Sequence, residues 1–453
     1  MSNFRPINRD TGFLLPPSVD EWLPQRHLAR FVVEVIDGLD LSELIKAYRG
    51  SGSAPYHPAM LLGLLVYGYA TNTFSSRAVE RATYDSVAFR FIAGNEHPHH
   101  DTIAAFRKRF LGQIEALFIE VLKLARTMGM LKMGTVALDG TKIHANASRH
   151  SALSYGHAKK IEKQLKKEVQ HLLRLAERAD AKDIPDGMSV PEELERRETR
   201  LAVIAQAKVK IEERAEERLQ REQAEHQSKL AVRAEQEKQT GKRPGGRPPE
   251  PPTGGVREKD QVNLTDEDSR IMKVAGGGFE QCYNAQAVVA TGSMLIVAAA
   301  VTQAPNDKKQ LVPMIDKLKS LPPELGRTRR ILADGGYLSE ANVERCAAAK
   351  IEPLIAMGRC GHHVSWKKRF AAAPKAPPDS ATPLQKMAHR LKTPRGRKLY
   401  ALRKQTPEPV FGIIKSVMGY RQTLLRGLEN VRGEWNLVTL SWNIKRMFAL
   451  LPA

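Results

Sequence analysis

Cysteine is nearly absent: the 453 residues include only Cys282, Cys346 and Cys360. Their wide spacing makes neither a disulfide framework nor a paired metal motif, so a reducing cytoplasm is the expected setting. Negative charge is also in short supply. Fifty acidic residues face 71 lysines and arginines, a formal net charge of +21. That excess is large for an enzyme of small molecules and points to a polyanionic partner. Long apolar runs are missing too. Residues 1–30 carry charges and prolines throughout, so no secretory leader is expected. One long uncharged stretch lies between Glu280 and Asp307. Asn284, Gln286 and Gln303 interrupt it, and Thr291-Gly292-Ser293 divides it into two β-rich halves. A buried hairpin is expected there, with no membrane span.

The length allows two or three domains with at least one sizeable core. Residues 1–130 have helical periodicity in "HPAMLLGLLVYGYA" (57–70), "SSRAVERATYDSVAFRFIAG" (75–94) and residues 100–130. Ser75 and Asp101 are the expected N-caps. Arg77, Arg81, Arg90, Arg107, Lys108 and Arg109 fall on these helices. They fit a helix-turn-helix-like DNA-binding module and equally an ordinary helical bundle with solvated arginines.

From 155 to 240 the composition turns to Glu, Lys, Arg, Gln and Ala. Ile161, Leu165, Val169, Leu172 and Ala176 form one apolar stripe, and Leu194, Leu201, Ile204 and Ile211 another. "DIPDGMSVP" (183–191) separates them, so a long antiparallel helical hairpin is expected. "GKRPGGRPPEPPTGG" (241–255) reads as a Pro/Gly linker. Its Arg247 lies in "GGRPP", which is similar to an Arg-Pro element that enters the A·T-rich minor groove.

Strand signals occur at 131–150, where "VALDGTKIHANAS" carries Asp139 at the end of an apolar run, and again at 268–304. An amphipathic helix (307–321) follows, then a strand ending in Asp334, a short helix and the apolar strand "IEPLIAM". Between Arg359 and Lys404, thirteen Lys and Arg face one acid, Asp379, which contributes +12 of the total +21. That basic insertion, with Lys367, Lys368 and Arg369, is the expected seat of the polyanion. "RCGHH" (359–363) and "HPHH" (97–100) lack the partner pair of a zinc site.

With the insertions removed, the element order is that of an α/β ribonuclease-H-like domain, in which the first and fourth strands are neighbours. Asp139 and Asp334, 195 residues apart in sequence, would then become adjacent. Holding two Mg²⁺ ions roughly 3.5–4 Å apart on a phosphate requires further oxygen ligands. Glu340, Glu344, Glu408, Glu429 and Glu434 are candidates. Glu408 has the best context. Thr406 is the expected N-cap and Pro407 opens the helix, where the macrodipole favours an ionised carboxylate. Glu408, Gly412 and Lys415 share a face, and Gly412 is expected to bring that face close to the sheet.

These segments together resemble the DDE transposases of bacterial insertion sequences. "ALDGTKIHANAS" looks like that family's first-aspartate segment and "LADGGY" like its second. "EPVFGIIK" followed by "LRGLENVRGEWNLVTLSWNIKRM" resembles its third-carboxylate helix and tail, and "DSRIMK…YNAQAVV" is similar to a further segment. The resemblance runs from about residue 50 to the end. It implies a metal-binding, catalytic triad of Asp139, Asp334 and Glu408 with two Mg²⁺ (or Mn²⁺) ions. The family's tyrosine, arginine, glutamate and lysine signature falls on Tyr400, Arg403, Glu408 and Lys415. Four residues separate Arg403 from Glu408 where the family has three, so Lys404 is an alternative to Arg403.

The implied activity is cleavage of the element's ends and transfer of the 3′-hydroxyl strands to target DNA. The implied partners are terminal inverted repeats, target DNA and further copies of the chain, as a homodimer or higher oligomer, in the bacterial cytoplasm at the nucleoid. The rival readings are a non-cutting DNA-binding protein derived from a transposase and a simple metal-dependent nuclease of the same fold. The expected domains are 1–130 (helical, DNA-binding), 131–154 and 263–453 (catalytic, with the basic insertion 359–404), 155–240 (helical hairpin) and 241–262 (linker).

Overall fold

Helices occupy most of the chain up to Thr127, and a sheet begins at Thr135. The computed structural model describes residues 18–48, 55–177, 188–243, 245–358 and 375–452. Of these, residues up to Asn146 and from Met272 onward form one unit, and Ala147–Ile271 form another. No helix among the described residues is long and apolar enough to cross a membrane.

In the first unit the Pro58–Ala70 helix is apolar almost all round and buried along nearly its whole length. Such a helix belongs in the middle of a bundle, and it packs against Leu28–Asp37 and the C-terminal helix Leu428–Leu450. The 75–94 segment is two helices, Ser76–Asp85 and Val87–Ile92, because Ser86 takes an extended backbone between them. The 100–130 segment is likewise divided into His100–Phe110 and Ile114–Thr127. Ser75 caps as expected, its hydroxyl accepting from the Ala78 N–H. Asp101 does not cap. The ring of His99 takes that role, and Asp101 stands in the first turn.

The expectation of a solvated basic face needs correction at two positions, Arg107 and Arg90. Arg107 is buried and donates to the Phe74 carbonyl at 3.0 Å. Arg90 donates to the Asn95 side chain, and Arg109 lies over the Tyr48 and Phe110 rings. These guanidiniums brace the bundle, although Arg109 is exposed, as are Arg77, Arg81 and Lys108.

The sheet comprises β1 (Thr135–His144), β2 (Arg270–Lys273), β3 (Phe279–Ala290), β4 (Ile296–Thr302), β5 (Arg330–Ala333) and β6 (Glu352–Ile355). β1 is central, antiparallel to β3 on one side and parallel to β5 on the other. β4 pairs antiparallel with β3, β6 pairs parallel with β5, and β2 also pairs with β3. β3 and β4 are the hairpin expected from the uncharged stretch. Val136–Leu138, Ile331–Ala333 and Leu354–Ile355 are fully buried, the near-continuous apolar pattern of strands covered on both faces. Part of that cover comes from the stretch expected to be a basic insertion. Leu391, Leu399, Tyr400 and Leu402 pack over Ala137, Leu332 and Leu354. Lys367, Lys368, Arg369 and the 359–363 motif lie outside the described residues.

The second unit is built on two helices, Tyr155–Glu177 and the 51-residue Val190–Thr240. Ile161 and Leu165 pack against Ala158, Ile204, Ala207 and Ile211, joined by Leu153 and Val262 from a two-stranded sheet. The break between the helices lies largely outside the described residues, as does the side chain of Ala176. The Pro/Gly stretch does not hang free. It runs back along the long helix, with Arg233 donating to the Gly246 carbonyl, His226 to Pro249, and Arg218 to Gly255 and Asp260. Arg247 stays exposed and pairs with Glu250.

One buried acid ties the bundle to the C-terminal helix. Glu434 has no solvent exposure, and its carboxylate accepts from the Tyr69 hydroxyl at 2.8 Å and from the Leu424 and Leu425 N–H groups. Burial pushes its pKa up, opposed by those hydrogen bonds and by Arg107. Glu434→Ala leaves several buried donors unpaired, each costing about 1–3 kcal/mol. The expected result is a stability loss of at least about 3 kcal/mol, read as a lowered urea midpoint; an unchanged midpoint would show the network to be dispensable.

Candidate active site

Parallel pairing of β1 with β5 matches Thr135 to Arg330, Val136 to Ile331 and Ala137 to Leu332. Each pair is separated by 195 residues, the same separation as Asp139 and Asp334. Carried two residues past the last matched pair, the register sets the two aspartates level on neighbouring strands. β5 ends at Ala333, and Asp334 caps the following turn by accepting from the Gly336 N–H at 2.8 Å. Asp334 thus stands at a strand end, as expected, whereas Asp139 does not: β1 continues to His144, and Asp139 and Gly140 pair with Ala287 and Gln286 of β3.

Glu408 arrives on the Pro407–Ser416 helix, which buries Val410, Phe411 and Ile414. Two anchors fix this helix to β1. The Lys415 ammonium donates to the Lys142 carbonyl at 2.7 Å. Beyond the turn at Gly419, whose φ of +76° suits glycine, the chain pairs with the end of β1. There the His144 N–H donates to the Arg421 carbonyl and the Thr423 N–H to the His144 carbonyl. Two details differ from expectation. The Thr406 hydroxyl donates to the Leu402 carbonyl and does not cap the helix. Gly412 makes no close approach, since a Cβ there would meet open space.

Arg403 joins the three acids. Its Nη2 lies 3.1 Å from Asp139 Oδ2 and 3.7 Å from Asp334 Oδ2, and its Nη1 lies 3.1 Å from Glu408 Oε1. The carboxylates thus converge on one guanidinium. Asp139 and Arg403 are the secluded members, with side chains 14% and 12% exposed, while Asp334 and Glu408 open to solvent at 39% and 50%. Arg403 Nε is buried without a partner among the described residues. Lys404 is exposed and makes none of these contacts. The Tyr400 hydroxyl reaches the Ala333 carbonyl at 3.4 Å, one residue before Asp334.

The other acids weighed for the third position stand elsewhere. Glu434 is in the buried network described above, Glu429 pairs with Arg432, and Glu340 and Glu344 are exposed on the next helix.

A fourth acid escapes sequence reasoning. Asp307 follows β4, and its Oδ1 accepts from Asn284 Nδ2 and Gln286 Nε2, each at 2.7 Å, with Lys142 Nζ at 4.0 Å. Gln286 in turn accepts from the Tyr337 hydroxyl. The signal was available: two amides in an otherwise apolar strand need a buried partner. Gly140 makes room for this group. A Cβ at that position would lie 2.3 Å from Gln286 Nε2 and 2.7 Å from Asp307 Oδ1.

Residues 256–444 match the family model described as Transposase DDE domain, and residues 17–109 match the one described as Transposase domain (DUF772). The chain belongs to the DDE transposases. Asp334 and Glu408 fall within the matched segments, whereas Asp139 lies outside both. No curated protein and no solved structure matches the transposase.

Burial pushes the Asp139 pKa up to about 6, with Arg403 and the Gly140 N–H pulling it down and Asp334 and Asp307 adding to the rise. The folded value thus exceeds that of an exposed aspartate, about 3.9. The associated stability is full below that exposed value and is lost as pH rises through about 6. In EDTA at pH 7.5 the transposase therefore bears a cost of roughly 3 kcal/mol at this residue. Asp139→Asn is expected to raise the melting temperature at pH 7.5 and to abolish the decline between pH 4 and 6. Equal melting temperatures across that range would refute the desolvation argument. Gly140→Ala is expected to cost about 1–3 kcal/mol by overpacking, measured by urea unfolding; a neutral result would mean that Gln286 has room to yield.

Proposed function

We propose that this transposase cleaves the ends of its insertion sequence and transfers the 3′-hydroxyl strands to target DNA. The observation that carries the proposal is the convergence of Asp139, Asp334 and Glu408 on the Arg403 guanidinium. The strand order, with β1 antiparallel to β3 and parallel to β5, supports a ribonuclease-H-like reading of the sheet.

Three carboxylates within reach of one cation are a hard-oxygen donor set suited to Mg²⁺ or Mn²⁺. Asp139, Asp334 and Glu408 would hold two such ions. When bound, the ions neutralise charge on the scissile phosphate and lower the pKa of the attacking water or hydroxyl.

The remaining work falls to the chain's own side chains. No residue is required as a covalent nucleophile, so catalysis rests on positioning and charge neutralisation. Arg403 offers a planar set of donors beside the carboxylates, suited to a phosphate oxygen. Lys415, fixed through the Lys142 carbonyl, and Lys142, facing Asp307, bring two further cations to the same end of β1. Burial lowers the pKa of both lysines. Tyr400 steadies the backbone next to Asp334. Lys404, together with Lys367, Lys368 and Arg369, would bind DNA backbone irrespective of sequence, and Arg247 would do so from the second unit. The Arg77, Arg81 and Lys108 side chains remain available for a helix-groove contact with the terminal repeats. Assembly as a dimer or higher oligomer would bring two ends together.

The deciding experiment is a nicking assay on the element's own ends in Mg²⁺, with gel-shift binding measured in parallel. Asp139→Asn is expected to bind those ends nearly as well as wild type and to nick them several orders of magnitude more slowly. Wild-type binding without nicking in Mg²⁺ or Mn²⁺ would favour a non-cutting DNA-binding protein. Equal nicking by both proteins would reduce Asp139 to a structural residue of β1.

A further inference from the structure

A crevice of about 850 Å³ opens at the end of the sheet away from the carboxylates. It is formed where β5 and β6 begin, by the loop that leads into β5, the residues before β6 and the end of the Ile114–Thr127 helix. Arg126, Lys319, Arg327, Arg329 and Lys350 line it, and no acid does. We propose that this crevice binds the phosphate backbone of a second DNA duplex segment, distinct from the one held at the carboxylates.

The side chains of Lys319, Arg327, Arg329 and Lys350 have no acidic or hydrogen-bonding partner among the described residues. Nearby cations do: Lys317 pairs with Glu115, Lys123 with Glu324, Arg345 with Asp316 and Arg330 with Glu352. Carboxylates are thus available around the crevice, yet none turns into it. Concentrated unpaired positive charge costs folding energy through self-repulsion unless an anion relieves it. Arg126 is held in place by donating to the Leu131 carbonyl at 3.0 Å. The Thr328 hydroxyl, between two of the arginines, is buried without a partner among the described residues. Lys350 also takes a left-handed backbone, φ 56°, a position where glycine is the cheaper residue.

The separation from the carboxylates follows from the strand. Arg329 precedes Asp334 by five residues, about 16 Å along an extended chain. A phosphate held at one end is therefore not a phosphate held at the other. This inference rests on the transposase reading, because strand transfer requires two DNA segments on one protein.

The test uses the full chain with Lys319, Arg327 and Arg329 all changed to Glu, and a parallel variant with all three changed to Gln. Binding to an unrelated duplex is followed by fluorescence anisotropy from 50 to 200 mM KCl, beside nicking and strand-transfer assays. Each lost phosphate contact lowers the salt slope by about 0.9, so a drop of roughly 2–3 is expected. Strand transfer should fall at least about tenfold while nicking of saturating element ends stays within about twofold. An unchanged slope with unchanged strand transfer overturns the proposal. So does a result in which pyrophosphate raises the wild-type melting temperature while the duplex slope is the same in every variant, since that marks a small phosphorylated ligand. If the Glu variant fails to fold, the Gln variant decides between these outcomes. If wild type neither nicks nor transfers, the enzyme reading fails, and the salt slope alone still decides the crevice.

Discussion

The parallel pairing of β1 with β5 is the constraint on which the rest of the unit depends. Parallel strands cannot be joined by a tight turn, so a long excursion must separate them. Here that excursion includes the whole second unit, the β3–β4 hairpin and the Leu311–Ser320 helix. Its length is immaterial to the register, because loop-closure entropy grows only slowly with the number of residues. What matters is that the chain returns to match Arg330 with Thr135. Once it does, the apolar runs of both strands are buried, and the first residues beyond them, both aspartates, emerge at the same end.

The polar centre built on that register is costly. Asp139 is desolvated among other acids, and Arg403 offsets much of the repulsion by touching Asp139, Asp334 and Glu408. A guanidinium suits this role because it stays charged and its planar fork reaches several carboxylates. The Asn284, Gln286 and Tyr337 network performs a comparable service for Asp307. Both arrangements depend on segments far apart in sequence. They set electrostatic preorganisation against fold stability, the compromise expected at a working site.

Positive charge is divided among different tasks in the same chain. Arg107, Arg109 and Arg90 brace the helical bundle, Arg403 balances the acids, and Arg390 pairs with Glu352 at the sheet edge. Lys319, Arg327, Arg329 and Lys350, in the crevice before β5 and β6, have no such pairing among the described residues. Net charge therefore says that a polyanion is a partner, but not which cations meet it.

Local rules made much of this legible. Apolar runs ending in Asp-Gly marked β1 and β5, alternation and turn chemistry marked the β3–β4 hairpin, and helical periodicity marked the bundle and the helical pair. Each of these signals is carried by residues within a dozen positions of one another. The same rules failed where packing around the residue decided the outcome. Asp101 gave up its capping role to a histidine two residues away, Gly412 met no sheet, and the Pro/Gly stretch lay along a helix that ended just before it. Asp307 had no motif at all, because its meaning comes from amides on an adjacent strand. The sequence alone determined which kinds of element form and roughly where, since propensity and periodicity act over single turns and strands, but not every end: β1 runs past Asp139 to His144, and neither Asp101 nor Thr406 caps its helix. Only the tertiary structure decided which carboxylates meet, since register and packing join residues hundreds of positions apart through contacts that no local pattern encodes.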